Sequence, residues 1–155
     1  MWQRLFNDVG ERYPQIVREH RYVDALAMEL IRDPARFDVI VTNNLFGDIL
    51  SDLAAQLVGW LGVAPSANVG AKPPGVFEPM HGSAPPLAGR GVANPIATIL
   101  TGGLMLEHLG ALSAAGRLQD AVQESLTAGF RTADLGGRAT TAEVGARIAQ
   151  TVKRL

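Results

Sequence analysis

From Gly59 to Gly91 the chain is so heavily punctuated by glycine and proline that no long helix or strand can run through it, which confines regular structure to its flanks. Short strands fit inside this middle at Leu61–Ala64, Ala67–Val69 and Val76–Glu78, and the turns between them suit ligand loops. Before it, Trp2, Leu5, Phe6 and Val9 recur at helical spacing, predicting an amphipathic helix over Trp2–Tyr13 that Pro14 closes. That helix opens at the first residues with neither cap nor leader, as expected of a chain that starts inside something larger. An extended stretch around Ile16–Tyr22 leads to a second helix, opened by Asp24, carried by Leu26, Met28, Leu30 and Ile31, and ended by Asp33-Pro34.

Phe37–Thr42 is β-branched and apolar, the pattern of a strand buried on both faces. A turn at Asn43-Asn44 then leads into a helix from about Gly47 to Leu57. Beyond the middle, Pro95 suits the first position of a long apolar helix reaching Leu109, with Asn94 as its cap. Helices over Ala111–Ala128 and Thr141–Leu155 complete the chain around a loop at Asp134-Leu135-Gly136-Gly137. The last helix carries a capping-box pattern in Thr140 or Thr141 followed by Glu143. Strands alternating with helices make the class α/β, without internal repeats.

Charge narrows the partners. The 155 residues carry 14 Lys+Arg against 15 Asp+Glu, a formal net charge of -1, so no polybasic field is available for nucleic acid or anionic lipid. With no cysteine, thiolate zinc sites, iron–sulfur clusters and thiol nucleophiles are excluded, and a bound metal must be held by oxygen or imidazole. The uncharged run Leu53–Ala71 is long enough to span a bilayer on paper. Gln56, Gly59, Gly62, Pro65, Ser66, Asn68 and Gly70 within it favour a buried soluble segment and a cytoplasmic chain without membrane contact.

Asp48 and Asp52 stand four apart in a helical segment, so both carboxylates project from one face, a spacing suited to Mg2+ or Mn2+. The plainer alternative makes Asp48 a helix-start residue and Asp52 a solvated charge. Asp24 is a third carboxylate, at the head of its own helix. Glu78-Pro79-Met80-His81-Gly82-Ser83-Ala84-Pro85 gathers a carboxylate, an imidazole, a hydroxyl and a glycine, which suits either nucleotide contact or a tight structural turn. Gly89-Arg90-Gly91-Val92-Ala93-Asn94 is not a Rossmann loop, because its sixth position is Asn and no strand precedes it. Walker A, G-x-S-x-G and H-E-x-x-H patterns are absent, and His20 and His108 stand alone.

In order, VDALAMEL, FDVIVTNNLFGDILSD, APSANVG, FEPMHGSAP, AGRGVANPIATIL and TADLGG resemble the β-decarboxylating dehydrogenases, the isocitrate/isopropylmalate group that includes tartrate, D-malate and homoisocitrate dehydrogenases. The resemblance covers nearly the whole chain. It implies part of an isopropylmalate-dehydrogenase-like, non-Rossmann α/β fold, helices packed on a mixed sheet, with a metal and dimer part over about residues 1–65 and a cofactor part over about 66–155. It implies NAD(P)-linked oxidative decarboxylation of a 2-hydroxy dicarboxylic acid. Asp48 and Asp52 would hold Mg2+ or Mn2+, with Asp24 given to a partner subunit's site and Asn44 shaping the same site.

By the same resemblance, His81 and Asn94 contact adenine, Glu78 lies near the nicotinamide ribose, Gly82, Ser83 and Ala84 supply the loop, and Asp134 is a further cofactor candidate. Pro86 stands where the family places Asp for NAD or Lys for NADP, and it has no side-chain group for either task. The remaining motifs favour NAD, while Arg90 or Arg138 leaves NADP open. The family's substrate arginines, general-acid tyrosine and general-base lysine lie upstream of the point matching Trp2. Neither Lys72 nor Lys153 matches that lysine. The implied chain is inactive alone and works as a homodimer or with a chain supplying the other half. A non-catalytic binding module and an inactive truncation product are the alternatives.

Overall fold

The computed structural model describes residues 1–155 as two compact units, Met1–Ser51 and Asp52–Leu155. The division falls within a helix.

In the first unit, α1 spans Trp2–Gly10 and stops short of the expected Tyr13. Residues 16–22 form no strand. Helix α2 spans Val23–Arg32, within a residue of its expected limits, and a 3₁₀ turn follows at Pro34–Arg36. Leu26 and Leu30, one turn apart on α2, pack with Leu50, and Phe37 and Val23 close the edge of this small cluster. Arg21 and Arg36 meet Glu19 and Glu29 in an ion-pair network on the surface beside it.

The expected strand over Phe37–Thr42 is not formed. No backbone hydrogen bond involves residues 38–41, and Val39 is 82% exposed. The physical reason is lateral: a central strand draws its hydrogen bonds from neighbouring strands, and none lies beside this segment.

Helix α3 spans Asn44–Val58, three residues earlier than the expected start at Gly47, because Asn43 acts as a cap rather than as part of a free turn. Its Oδ1 accepts the Phe46 backbone N–H at 3.0 Å.

In the second unit, Leu61–Val63 is a 3₁₀ turn rather than a strand. Strands β1 (Pro65–Asn68) and β2 (Val76–Pro79) then pair antiparallel, Ser66 opposite Glu78 and Ala67 opposite Phe77. Helices α4 (Ile96–His108), α5 (Leu112–Thr127) and α6 (Thr141–Arg154) follow near their expected limits. Ile96, Ala121, Val122, Val144 and Ile148 from these three helices form the core. Phe77 of β2 packs its ring on His108 of α4, centroids 5.5 Å apart, which fixes the hairpin to the helix. No helix is long and apolar enough to cross a membrane, so the uncharged run from Leu53 is divided among helix, turn and strand.

The start of α6 has the full capping box: the Glu143 N–H donates to Thr140 Oγ1 at 3.2 Å, and the Thr140 N–H donates to Glu143 Oε2 at 2.7 Å. The Thr140 N–H on that oxygen, and second the Thr140 hydroxyl, which donates to the same Oε2 at 2.9 Å, hold the Glu143 carboxyl below its usual range.

Candidate functional site

The aspartates sit on helices that place them outward. Asp48 and Asp52 are both exposed positions of α3, one turn apart. Asp48 does not serve the helix start, which Asn43 caps; its Oδ2 accepts instead from Asn44 Nδ2 at 3.0 Å. Asp24 lies in the first turn of α2 and its Oδ1 accepts the Ala25 N–H at 2.8 Å, a local bond that suits the helix N-terminus. Ion pairs in the chain are made by Glu19, Glu29 and Glu124, so all three aspartates are without a basic partner. The chain does not draw three of its acidic or histidine side chains into one metal-sized cluster.

The loop after β2 begins with Glu78, exposed on the strand, and reaches His81. His81 Nδ1 lies 3.0 Å from the Gly82 carbonyl oxygen, which accepts when Nδ1 carries the proton. That tautomer leaves Nε2 as an acceptor, and Nε2 is buried with no partner in the chain. Gly82 and Ser83 are exposed, and Ala84 adopts a left-handed backbone, φ 41° and ψ 63°, at the head of a 3₁₀ turn over Pro85–Leu87. A left-handed conformation costs an L-residue roughly 1–2 kcal/mol, so the loop is held in shape by its surroundings. Pro86 lies inside that turn.

The far side of the loop is better fixed. Asn94 Oδ1 accepts the Ile96 N–H of α4 at 3.0 Å, two residues on, the bond expected of a cap ahead of Pro95. Asn94 Nδ2 donates to Asp134 Oδ2 at 2.9 Å, across 40 residues of sequence. Thr132, fully buried, donates its hydroxyl to the other oxygen of Asp134. Thr141 at the start of α6 donates its backbone N–H to the Gly91 carbonyl at 2.9 Å and its hydroxyl to the Ala93 carbonyl. The capped end of α6 thereby holds the segment leading into Asn94.

Two members of this constellation, Thr132 and Gly62, escape sequence reasoning. Thr132 begins TADLGG, where only Asp134 carries an obvious functional group. Gly62 sits in an uncharged apolar run and reads as filler, yet a Cβ there would meet Asp134 Oδ2 at 2.7 Å and Asn94 Nδ2 at 3.0 Å. Its only sequence signal is a glycine inside an otherwise apolar turn.

Residues 1–148 match the family described as isocitrate/isopropylmalate dehydrogenase. The 3-isopropylmalate dehydrogenase of Zymomonas mobilis subsp. mobilis is 51% identical over 146 residues, 94% of this chain and 42% of that protein. The 3-isopropylmalate/3-methylmalate dehydrogenase of Methanocaldococcus jannaschii is 50% identical over 153 residues, covering 99% of this chain and 46% of that one. Among solved structures, isocitrate dehydrogenase from Methylococcus capsulatus superposes with a TM-score of 0.91 at 44% identity, over 97% of this chain and 45% of its own. The chain therefore spans less than half the length of these relatives.

Proposed function

Because the chain belongs to the isocitrate/isopropylmalate dehydrogenase family, we propose that it carries the metal and cofactor residues of an NAD(P)-linked oxidative decarboxylase of a 2-hydroxy dicarboxylic acid. The observation that carries the reading is the family match over residues 1–148, a span that includes the aspartate helices and the His81–Asn94 loop.

The residues fit both groups. Three exposed carboxylates without a basic partner are hard oxygen donors, the donor set that Mg2+ or Mn2+ prefers. Asp48 and Asp52 would hold the ion together, and Asp24 would serve the site of a partner subunit in a homodimer. With Nδ1 protonated, His81 Nε2 is a buried acceptor lacking a donor, an atom that a ligand N–H would satisfy, and the fixed Asn94 carboxamide is a second recognition point on the same loop. We assign the nicotinamide dinucleotide to Glu78, His81, Gly82, Ser83, Ala84 and Asn94, and favour NAD.

When bound, the metal supplies Lewis-acid polarisation of the substrate hydroxyl and the nicotinamide accepts a hydride. The chain's own part is positional. Asn44 orients Asp48 through the 3.0 Å bond, the α6 cap holds the segment before Asn94, and Asp24 ties catalysis to assembly with a partner. Proton transfer is assigned elsewhere: Lys72 sits in the loop between the strands and Lys153 near the end of α6, and neither is given the general-base role. The substrate-gripping and proton-transferring groups belong to the remainder of the family's length, supplied by another chain or segment.

The test is direct. Isopropylmalate, isocitrate, tartrate and D-malate, each with Mn2+ and NAD or NADP, should give no NAD(P)H absorbance with these 155 residues alone. Robust turnover would overturn the assignment of proton transfer to residues outside the chain.

A further inference from the structure

We propose that Asp134 is a positioning residue rather than a cofactor contact: it locks the carboxamide of Asn94 in one orientation, against backbone that Gly62 leaves bare. The proposal rests on the cofactor reading above and deepens it.

Asn94 is gripped at both ends of its amide. Its oxygen accepts the Ile96 N–H at 3.0 Å and its nitrogen donates to Asp134 Oδ2 at 2.9 Å. Turning the amide over would set NH2 against the Ile96 N–H and oxygen against the Asp134 carboxylate, two repulsive contacts in place of two bonds. The two partners therefore select the same orientation, and the bond to Asp134 is charge-assisted.

Asp134 is itself fixed. Its second oxygen accepts from the hydroxyl of Thr132, a residue with no exposed surface, so the carboxylate is anchored to the packed interior of residues 52–155. Both oxygens are thus engaged by donors of the chain. Asn94, by contrast, retains one N–H on Nδ2, presented with fixed polarity to a ligand acceptor such as a purine ring nitrogen.

Gly62 provides the space. A Cβ at this position would come within 2.7 Å of Asp134 Oδ2 and 3.0 Å of Asn94 Nδ2, wedging between the bonded atoms. Its φ is not among the positive values, so Gly62→Ala perturbs the pair sterically without straining the backbone.

Two readouts test the proposal on the full chain. Calorimetric titration with NAD compares the unaltered protein with Asn94→Ala, Asp134→Ala, Asp134→Asn, Gly62→Ala and the Asn94→Ala/Asp134→Ala double variant. Asp134→Ala and Gly62→Ala should each weaken binding roughly tenfold, the scale of one charge-assisted hydrogen bond. Asp134→Asn, whose amide oxygen still accepts from Nδ2, should recover most of the loss. The double variant should bind no more weakly than Asn94→Ala, because Asp134 acts only through Asn94.

In 1H–15N spectra of the ligand-free protein, the Asn94 side-chain NH2 signals should move toward those of a free asparagine in Asp134→Ala and Gly62→Ala, while melting curves stay cooperative. Additive losses in the double variant would make Asp134 a direct contact and overturn the proposal. So would Asn94 signals that neither variant moves. If the unaltered chain binds no NAD, the cofactor reading itself falls; the spectra then decide separately whether Asp134 holds Asn94, moved signals supporting that bond and unmoved ones refuting it.

Discussion

In residues 52–155, Ile96 and Val144 have no exposed surface and three helices close over them, whereas in residues 1–51 the best-buried large side chains, Leu26, Leu30 and Leu50, keep 5–8% exposure. The first unit leaves Trp2, Leu5, Ile16, Val17, Val39 and Val41 more than half exposed. Its sequence is no less apolar in pattern, but apolar side chains stabilise a fold only where something packs on them. The Glu78–Asn94 loop is thus mounted on the better-packed part, and Asp24 and Asp48 on the weaker one.

The largest expected effect sharpens this contrast. Ile96→Ala should cost about 2–5 kcal/mol, toward the upper part of that range, because its site cannot relax into solvent. Leu26→Ala should cost nearer about 2 kcal/mol. Denaturant unfolding followed by helical circular dichroism checks both, and equal costs would erase the distinction between the units.

A smaller effect is expected at the cap of α6. Thr140→Ala removes the acceptor for the Glu143 N–H and should cost roughly 1 kcal/mol by the same unfolding measurement. The smallest concerns pH. A carboxyl whose titration is lowered by folding stabilises the folded chain above its unfolded titration point, and that contribution disappears as pH falls through the folded one. Glu143→Gln should therefore lower the melting temperature slightly at neutral pH, with the difference from the unaltered chain vanishing in acid. A difference that grows in acid would reverse the sign of the linkage.

Helices were legible because their hydrogen bonds are local. The expected Asp24–Asp33, Pro95–Leu109 and Ala111–Ala128 segments became α2, α4 and α5 with ends shifted by about one residue. Phe37–Thr42 was not, since β-branched apolar composition signals only a preference for burial between strands, and no pairing strand lies beside it. The expected strand Leu61–Ala64 failed for a related reason: an apolar run this short is as compatible with a 3₁₀ turn, which Leu61–Val63 forms, as with a strand.

At the candidate site, Asn94 and Asp134 could be named one at a time from their motifs. The bond joining them across 40 residues is tertiary and had no sequence signal. Thr132 and Gly62 were invisible for the same reason, one acting through a buried hydroxyl and the other through a missing Cβ.

Whether one chain holds both a metal-binding and a cofactor-binding part is decided by calorimetric titration of the unaltered protein and Asp48→Asn with Mn2+ and with NAD. Both ligands should give heat of binding with the unaltered chain, and Asp48→Asn should lose the Mn2+ signal while retaining the NAD signal. No binding of either ligand to the unaltered chain, or Mn2+ binding that Asp48→Asn leaves untouched, would contradict that two-part reading.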